Sequence, residues 1–233
     1  MILKVATTLA EIIEGWRLVY HQYVKTALIE SNLFSVFTFP EYISRNSAVI
    51  LGKIGDKSVC SVSAVLDSKH GLPLDACFHE ELDGLRNENK KLIEIGLLAN
   101  RSEKASPFYI IELLSSIARF GVYSNFHDYV IGVHPRRAKF FKHLFGFNQV
   151  GASKKYDELG KAQVVLLHAD GREFEIRSQK ASHAIYFEAT DLLFKDRFKF
   201  FRIVSLKPFI VFDHIVSYLK KSWKYFFREA RNK

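Results

Sequence analysis

Short apolar segments alternate with helical segments between residues 92 and 169, and this alternation narrows the fold more than any other feature. The strand-like segments are LIEIGLLAN (92–100), DYVIGV (128–133), NQVGASKKY (148–156) and AQVVLLHA (162–169). The helical segments between them are 107–123 and 134–147; the second begins near Pro135 and stops at Gly146. Strands that alternate with helices predict a mixed α/β fold, in which helices flank one central sheet.

The first 91 residues extend the same sheet. Residues 9–30 have the apolar spacing of an amphipathic helix, and the segments 47–54 and 57–66 read as a hairpin around Gly55-Asp56. A polar insertion follows, whose middle (78–86) predicts a short helix. We therefore expect one α/β domain over residues 1–170 and a separate C-terminal extension over 171–233.

The extension carries most of the positive charge. Residues 191–233 hold eleven Lys or Arg against four Asp or Glu, a net of +7 out of +9 for the whole chain. Their apolar and basic residues fall largely on opposite helical faces, which predicts a basic amphipathic helical segment. Such a segment either binds an anionic membrane surface or packs on the domain. We expect no nucleic-acid binding, because no recognition motif accompanies the charge.

The cysteines and the N-terminal residues bear on the compartment of the protein. Cys60 and Cys77 are far apart and lack ligand spacing, so we expect reduced thiols, no metal site and a cytoplasmic protein. Residues 1–16 lack the layout of a signal peptide. No window approaches the roughly 20 uncharged apolar residues of a membrane-spanning helix.

One carboxyl group interrupts the strand-like segment 92–100. Alternation in a strand places Glu94 beside Gly96 on one face, whereas Ile95, Leu97 and Ala99 face the other way. A glycine beside a buried carboxylate leaves space for a reactant, and burial raises a carboxyl pKa toward the range of a general base. The alternative is a structural ion pair with an arginine such as Arg86 or Arg119.

Four segments resemble the long-chain N-acyl amino acid synthase family, a branch of the GNAT acyltransferase superfamily. They are WRLVYHQYV (16–24), Asp67 with GLPLD (71–75) and EELDGLR (80–86), KLIEIGLLAN (91–100), and VHPRRAKFFKHLFGFNQVG (133–151). The resemblance covers residues 10–169 and implies a GNAT-like mixed sheet. It also implies transfer of a fatty acyl group from acyl carrier protein to the amine of an amino acid, with Glu94 at the position of the proposed base.

The resemblance also implies a role in donor binding for the part of the strand that follows Glu94. In GNAT proteins this strand bulges and diverges from the next one, and the pantetheine arm of the donor pairs in the gap. By position, the main chain that lines this gap belongs to Gly96, Leu97, Leu98 and Ala99. Main-chain N–H groups aimed at developing oxyanion charge can contribute about 3 kcal/mol each.

The loop after this strand departs from the acetyl-CoA users of the superfamily. Those proteins wrap the pyrophosphate with a glycine-rich loop, whereas residues 101–106 read RSEKAS. The missing glycine favours an acyl-phosphopantetheine co-substrate over acyl-CoA, and we expect no other cofactor. Arg101, Lys104 and the N–H groups near Ser106 are the candidates for its single phosphate; the alternative is a solvated loop.

Other positions leave the chemistry open. Phe140-Phe141 stands where many relatives have a tyrosine that protonates the departing thiolate, and Tyr156 or water is the substitute. Arg86 and Glu81 bind the acceptor's carboxylate or hold the insertion in place. An autoinducer-synthase-like activity, another amine acceptor, and an inactive scaffold that binds a membrane or partner are the alternative functions.

Overall fold

The computed structural model describes residues 1–101 and 107–181. The strands are β1 (Ile2–Val5), β2 (Ser47–Ile54), β3 (Lys57–Leu66), β4 (Leu92–Asn100), β5 (Asp128–Val133), β6 (Asn148–Tyr156) and β7 (Ala162–Asp170). The helices are α1 (Leu9–Lys25), α2 (Asp75–Asn87), α3 (Pro107–Ser124), α4 (Pro135–Phe145) and α5 (Gly171–Ala181). The predicted mixed α/β fold is confirmed; the basic segment 191–233 lies outside the described residues.

All seven strands form one sheet in the order β1-β2-β3-β4-β5-β7-β6. Every neighbouring pair is antiparallel except β4 and β5, which are parallel. A parallel pair needs a crossover connection, and α3 supplies it. Strands β4 and β5 are therefore neighbours in the middle of the sheet.

Each face of the sheet has its own apolar core. Side chains of α3, α4 and α5 cover one face, where Leu113, Phe145 and Phe174 are fully buried. Side chains of α1 and α2 cover the other face, together with the loop between α1 and β2. We call the second face the α1/α2 face. Alternation along the strands separates the two cores, because successive side chains point to opposite faces.

Three elements differ from the sequence expectation. The first helix ends at Lys25 rather than near residue 30, because Thr26 caps it and Ala27 has a left-handed backbone with φ of 54°. The helix in the insertion starts at Asp75, earlier than expected. Strand β1 was missed, and it pairs with β2 at the edge of the sheet.

Helix α5 packs against the domain. Phe174 is fully buried and contacts Tyr129, Phe145 and Phe147 with ring centroids 4.5, 5.8 and 5.3 Å apart. Helix α5, at the start of the expected extension, thus packs on the core of the α3 side through Phe174. Within residues 1–101 and 107–181, no helix has the combination of length and apolarity that crossing a bilayer requires.

Candidate active site

Glu94 lies in the middle of β4 and is only 3% exposed. Two uncharged groups hold its carboxyl oxygens: the Tyr42 hydroxyl donates to Oε1 at 3.3 Å, and the Leu74 N–H donates to Oε2 at 2.9 Å. The expected burial of Glu94 is thus confirmed. The ion-pair alternative is wrong, because Arg86 binds other carboxylates and Arg119 belongs to α3 on the opposite face of the sheet.

Burial is the largest influence on the acidity of this carboxyl group. It raises the pKa of Glu94 well above 4.5, and the negative charges of Glu41 and Asp75 raise it further. The hydrogen bonds from Leu74 and Tyr42 act in the opposite direction, since they stabilise the charged form. The net effect is a raised pKa for Glu94, which is the direction that favours proton acceptance near neutral pH.

Two glycines make room for the groups that hold Glu94. A Cβ at Gly96 would overlap the Tyr42 hydroxyl and come within 3.0 Å of its Cζ; a Cβ at Gly132 would lie 2.6 Å from Leu74 Cδ2. The space beside Glu94 over Gly96 was expected to receive a reactant, and in this structure the Tyr42 ring occupies it. The expectation failed because the short 3₁₀ helix that carries Tyr42 folds back over the sheet.

The loop before α2 aims the Leu74 N–H at the carboxyl group. Asp75 Oδ2 accepts the Leu72 N–H at 2.7 Å, and the Tyr156 hydroxyl donates to the Pro73 carbonyl at 2.9 Å. These bonds fix the main chain on both sides of residue 73. The side chain of Tyr156 is buried, which raises its pKa well above 10 and keeps it protonated. In this structure its hydroxyl is therefore engaged in the hydrogen bond to the loop before α2.

Strand β4 bulges directly after Glu94. Between the pairs Gly96–Ser63 and Ala99–Ser61, β4 contains one residue more than β3, and Leu97 has a positive φ of 49°. A bulge of this kind bends the strand and leaves main-chain groups out of the ladder. The bulge implied by the family resemblance is therefore present.

The bulge also changes which side chains share a face. Leu97 and Ala99 belong to the core on the α1/α2 face, the same face as Glu94, and Leu98 packs with the core on the other side. The strict alternation predicted from the sequence is wrong after Gly96, because the extra residue shifts the phase by one position.

Strands β4 and β5 separate beside the bulge. Their pairing ends at Ile95 and Ile131, while β4 continues to Asn100 and β5 to Val133. The divergence implied by the resemblance is thus observed. Glu94 pairs with Val130, one position before the last pair of the ladder, so it lies at the closed end of the gap, which the bulged main chain of Gly96–Ala99 borders.

Arg86 and Glu81 are both engaged within the protein. Arg86 donates to Asp67, Asp75 and Asp83 through Nε, Nη1 and Nη2, at 2.7–3.1 Å. These contacts use all five guanidinium N–H groups and raise the pKa of Arg86. They also hold the pKa of Asp75 below its usual value against the effect of burial.

Glu81 has a different partner from Arg86. It forms an ion pair with Lys154 on β6, at 2.6 Å, which lowers the Glu81 pKa despite the opposing effect of burial. Glu81 and Arg86 therefore have separate partners and do not pair with each other. The two contacts instead attach α2 to the β3–α2 loop and to the edge strand β6.

The remaining predicted residues are placed as follows. Arg101 is exposed at the end of β4, and its N–H donates to the Val59 carbonyl at 2.7 Å. Lys104 and Ser106 lie outside the described residues. Phe141 is buried and Phe140 is half-buried against the core on the α3 side. Neither ring carries a proton to donate.

Two other surface features could suggest a binding site. Asp75, His79 and Asp83 form an acid–histidine cluster within the described residues, but the guanidinium of Arg86 already binds both carboxylates. A cleft of about 440 Å³ is lined by Asp170, Arg172, Glu173, Ile176 and Arg177. Asp170 pairs with Asp128 at the start of β5, so this cleft lies at the opposite end of the sheet from the gap.

Tyr42 and Leu74 are the site residues that sequence reasoning missed. Tyr42 is 52 positions from Glu94 along the chain, and its segment has no motif that connects the two. Leu74 acts through its main chain, which a side-chain pattern does not report. The only sequence signals were Gly96 and the turn residues of GLPLD.

A mixed sheet that opens between two parallel strands, with a bulge and a buried carboxyl group at the opening, defines an acyltransferase of the GNAT type. The chain belongs to the N-acyl amino acid synthase FeeM family, whose model matches residues 14–170. The family assignment implied by the four sequence segments is thereby confirmed, and with it the activity class of an N-acyltransferase. No curated protein matches the sequence significantly.

Solved structures agree with this fold. FeeM, an N-acyl amino acid synthase from uncultured soil microbes, superposes with a TM-score of 0.66 at 22% identity, covering 76% of this chain and 99% of FeeM. The CoA-dependent acyl-homoserine lactone synthase BjaI gives 0.59 at 10% identity, covering 77% and 89% of the two chains. The synthase LasI gives 0.59 at 14%, covering 78% and 96%. At these identities the structures support the fold alone.

Proposed function

We propose that this protein transfers a long-chain fatty acyl group from acyl carrier protein to the amine of an amino acid. The observation that carries the proposal is the position of Glu94, a buried carboxyl group of raised pKa where β4 and β5 separate. Membership of the N-acyl amino acid synthase family supports the amino acid as acceptor.

The chemistry assigns Glu94 the role of proton acceptor. An amino acid reaches the site as an ammonium ion, which has no free electron pair for attack. Glu94 accepts one proton, and the amine nitrogen then forms a bond to the thioester carbon. The C–S bond breaks as the nitrogen loses a second proton to water, and the sulfur leaves as a thiolate that takes up a proton from solvent. General-base assistance contributes about 10²–10⁴-fold to such a reaction.

The bulged strand handles the donor. The main chain of Gly96–Ala99 lies along the gap, where N–H groups polarise the thioester carbonyl and pair with the pantetheine arm. A departing thiolate with an ordinary pKa of about 8.5 is a tolerable leaving group without a nearby acid. The phenylalanines at 140 and 141 are compatible with activity for this reason.

The loop after β4 favours a carrier-protein donor. Arg101, Lys104 and Ser106 are assigned to the single phosphate of phosphopantetheine, and the loop has no glycine that suits a diphosphate. The net charge of +9 favours an acidic carrier protein as partner. Arg86 and Glu81 are assigned to holding the insertion, because their charged groups are already engaged.

The test of the reaction uses the full-length protein with acyl carrier protein or coenzyme A as the acyl carrier. Each donor is combined with a panel of amino acids and with S-adenosylmethionine, and products are identified by mass spectrometry. We expect N-acyl amino acids from the carrier-protein donor and none from the Glu94→Gln variant. Acyl-homoserine lactone as the only product, or undiminished turnover by Glu94→Gln, would contradict the proposal.

The basic segment 191–233 is assigned to an anionic membrane surface on the cytoplasmic side. Its eleven Lys or Arg and its apolar positions suit such a surface, and the lipidic product partitions there. The full-length protein should co-sediment with phosphatidylglycerol vesicles and lose most of that binding as Lys220→Glu/Lys224→Glu. Equal binding to uncharged vesicles would remove this role.

A further inference from the structure

The side chain of Tyr42 forms a hydrogen bond with the carboxyl group of Glu94. Its hydroxyl donates to Glu94 Oε1 at 3.3 Å, and the residue is 2% exposed. Its ring lies over Gly96, where any larger residue would displace it. The position of the phenol is thus fixed by the same strand that carries the carboxyl group.

The turn that carries Tyr42 is itself held by several contacts. The Tyr42 N–H donates to the Phe39 carbonyl at 3.1 Å, and the Ser47 hydroxyl donates to the Tyr42 carbonyl at 2.7 Å. The Phe39 ring stacks on Tyr156 with centroids 5.8 Å apart, which closes the cluster from the side of β6. A phenol held in this way does not need to be ordered when the substrate binds.

We propose that Tyr42 is a positioning residue, which holds one oxygen of Glu94 and keeps the carboxylate ready to take a proton from the acceptor amine. The inference rests on the proposed function in that Glu94 is the base. Tyr42 and the Leu74 N–H occupy one lone pair on each carboxylate oxygen. A second lone pair remains on each oxygen for the ammonium group.

The hydroxyl also affects the pH at which Glu94 works. Burial raises the pKa of Tyr42, so the phenol remains a donor across the working range. A donor to a carboxylate stabilises the charged form, and its loss raises the pKa of Glu94 further. The titratable groups that face Glu94 are Tyr42 and Glu41 from the 3₁₀ helix, Asp75 and Cys77 from α2, and Tyr156 from β6. Tyr42→Phe leaves the side chains of the other four in place.

The experiment compares the pH dependence of kcat/KM for the full-length protein and its Tyr42→Phe variant. Phenylalanine keeps the ring over Gly96 and removes only the donor. We expect the acidic limb of the profile to move about one pH unit upward, which corresponds to one hydrogen bond to a carboxylate. A uniform loss at all pH values, or an unchanged profile, overturns the proposal.

Tyr129→Phe is the matched control. Its buried hydroxyl donates to the Ala118 carbonyl at 2.8 Å on the other face of the sheet. This variant also loses one buried phenol bond, so a purely structural effect would be similar in both variants. We expect its acidic limb to coincide with that of the wild type. An equal shift in both variants counts against Tyr42.

A second readout needs no turnover. Carbon-13 NMR of protein labelled at glutamate Cδ gives the titration midpoint of Glu94, whose resonance is the one missing from Glu94→Gln. We expect a higher midpoint in Tyr42→Phe and no change in Tyr129→Phe. An unchanged midpoint in Tyr42→Phe overturns the inference. A shifted midpoint in a protein without transferase activity supports the Tyr42 contact and rejects the proposed function.

Discussion

Gly96→Ala tests the packing at the centre of the site. The main chain of Gly96 does not have a positive φ, so alanine causes no backbone strain there. The added methyl group would overlap the Tyr42 hydroxyl and come within 3.0 Å of Cζ, closer than ordinary contact. The phenol must therefore move away from Gly96, and its bond to Glu94 is lost.

The cost follows from these two effects. Overpacking a rigid core costs about 1–3 kcal/mol, and loss of a hydrogen bond adds about 1 kcal/mol. We expect Gly96→Ala to lower the free energy of unfolding by about 2–4 kcal/mol and Tyr42→Phe by about 1 kcal/mol. In the double variant the oxygen that overlaps the added methyl group is absent. The sum of the two single-variant losses should therefore exceed the loss measured for the double variant by about 1–2 kcal/mol.

The assay is urea unfolding of the wild type, both single variants and the double variant at pH 7. Gly84→Ala is the control, because nothing lies within 4 Å of a Cβ at this exposed helical position. It should stabilise the protein by about 0.5–1 kcal/mol. Additive losses within about 0.5 kcal/mol would refute the contact between Tyr42 and Gly96.

Three further predictions concern charge and core packing. Glu94→Gln should unfold at higher urea than the wild type at pH 8 but not at pH 4.5, because the raised pKa of Glu94 costs stability as pH rises above 4.5. A stability difference that shrinks with rising pH contradicts this. Arg86→Met should cost about 2–3 kcal/mol at pH 7, since it removes the guanidinium that binds three carboxylates. The lowered pKa of Asp75 gives stability above pH 3.8, so this loss should narrow in more acidic urea titrations; a constant loss opposes it. Phe174→Ala should cost about 3–4 kcal/mol by thermal unfolding, and a neutral effect would separate α5 from the core.

The local patterns predicted the elements that carry the chemistry. Alternating apolar residues identified β4, and Pro135 and Gly146 gave the ends of α4, because these signals act within a few residues. The buried carboxyl group was predictable for the same reason. A polar residue in an apolar strand has few structural explanations, and the structure excluded the ion pair.

The contacts between distant segments were not predictable. The Tyr42 hydroxyl and the Leu74 N–H reach Glu94 from segments 52 and 20 residues away, and the 3₁₀ helix around Tyr42 has no sequence repeat or charge pattern. The face change after Gly96 depends on one extra residue in the ladder with β3. Such a shift is set by tertiary pairing and not by the local sequence.

The two glycines near Glu94 have a consequence for which parts of the chain can change during evolution. Gly96 and Gly132 keep the sheet surface flat, so the groups that touch the carboxyl oxygens come from loops. Loop sequences vary with little cost to a folded core. Substitutions in these loops can therefore change the acidity of Glu94 while the strands of the sheet remain unchanged.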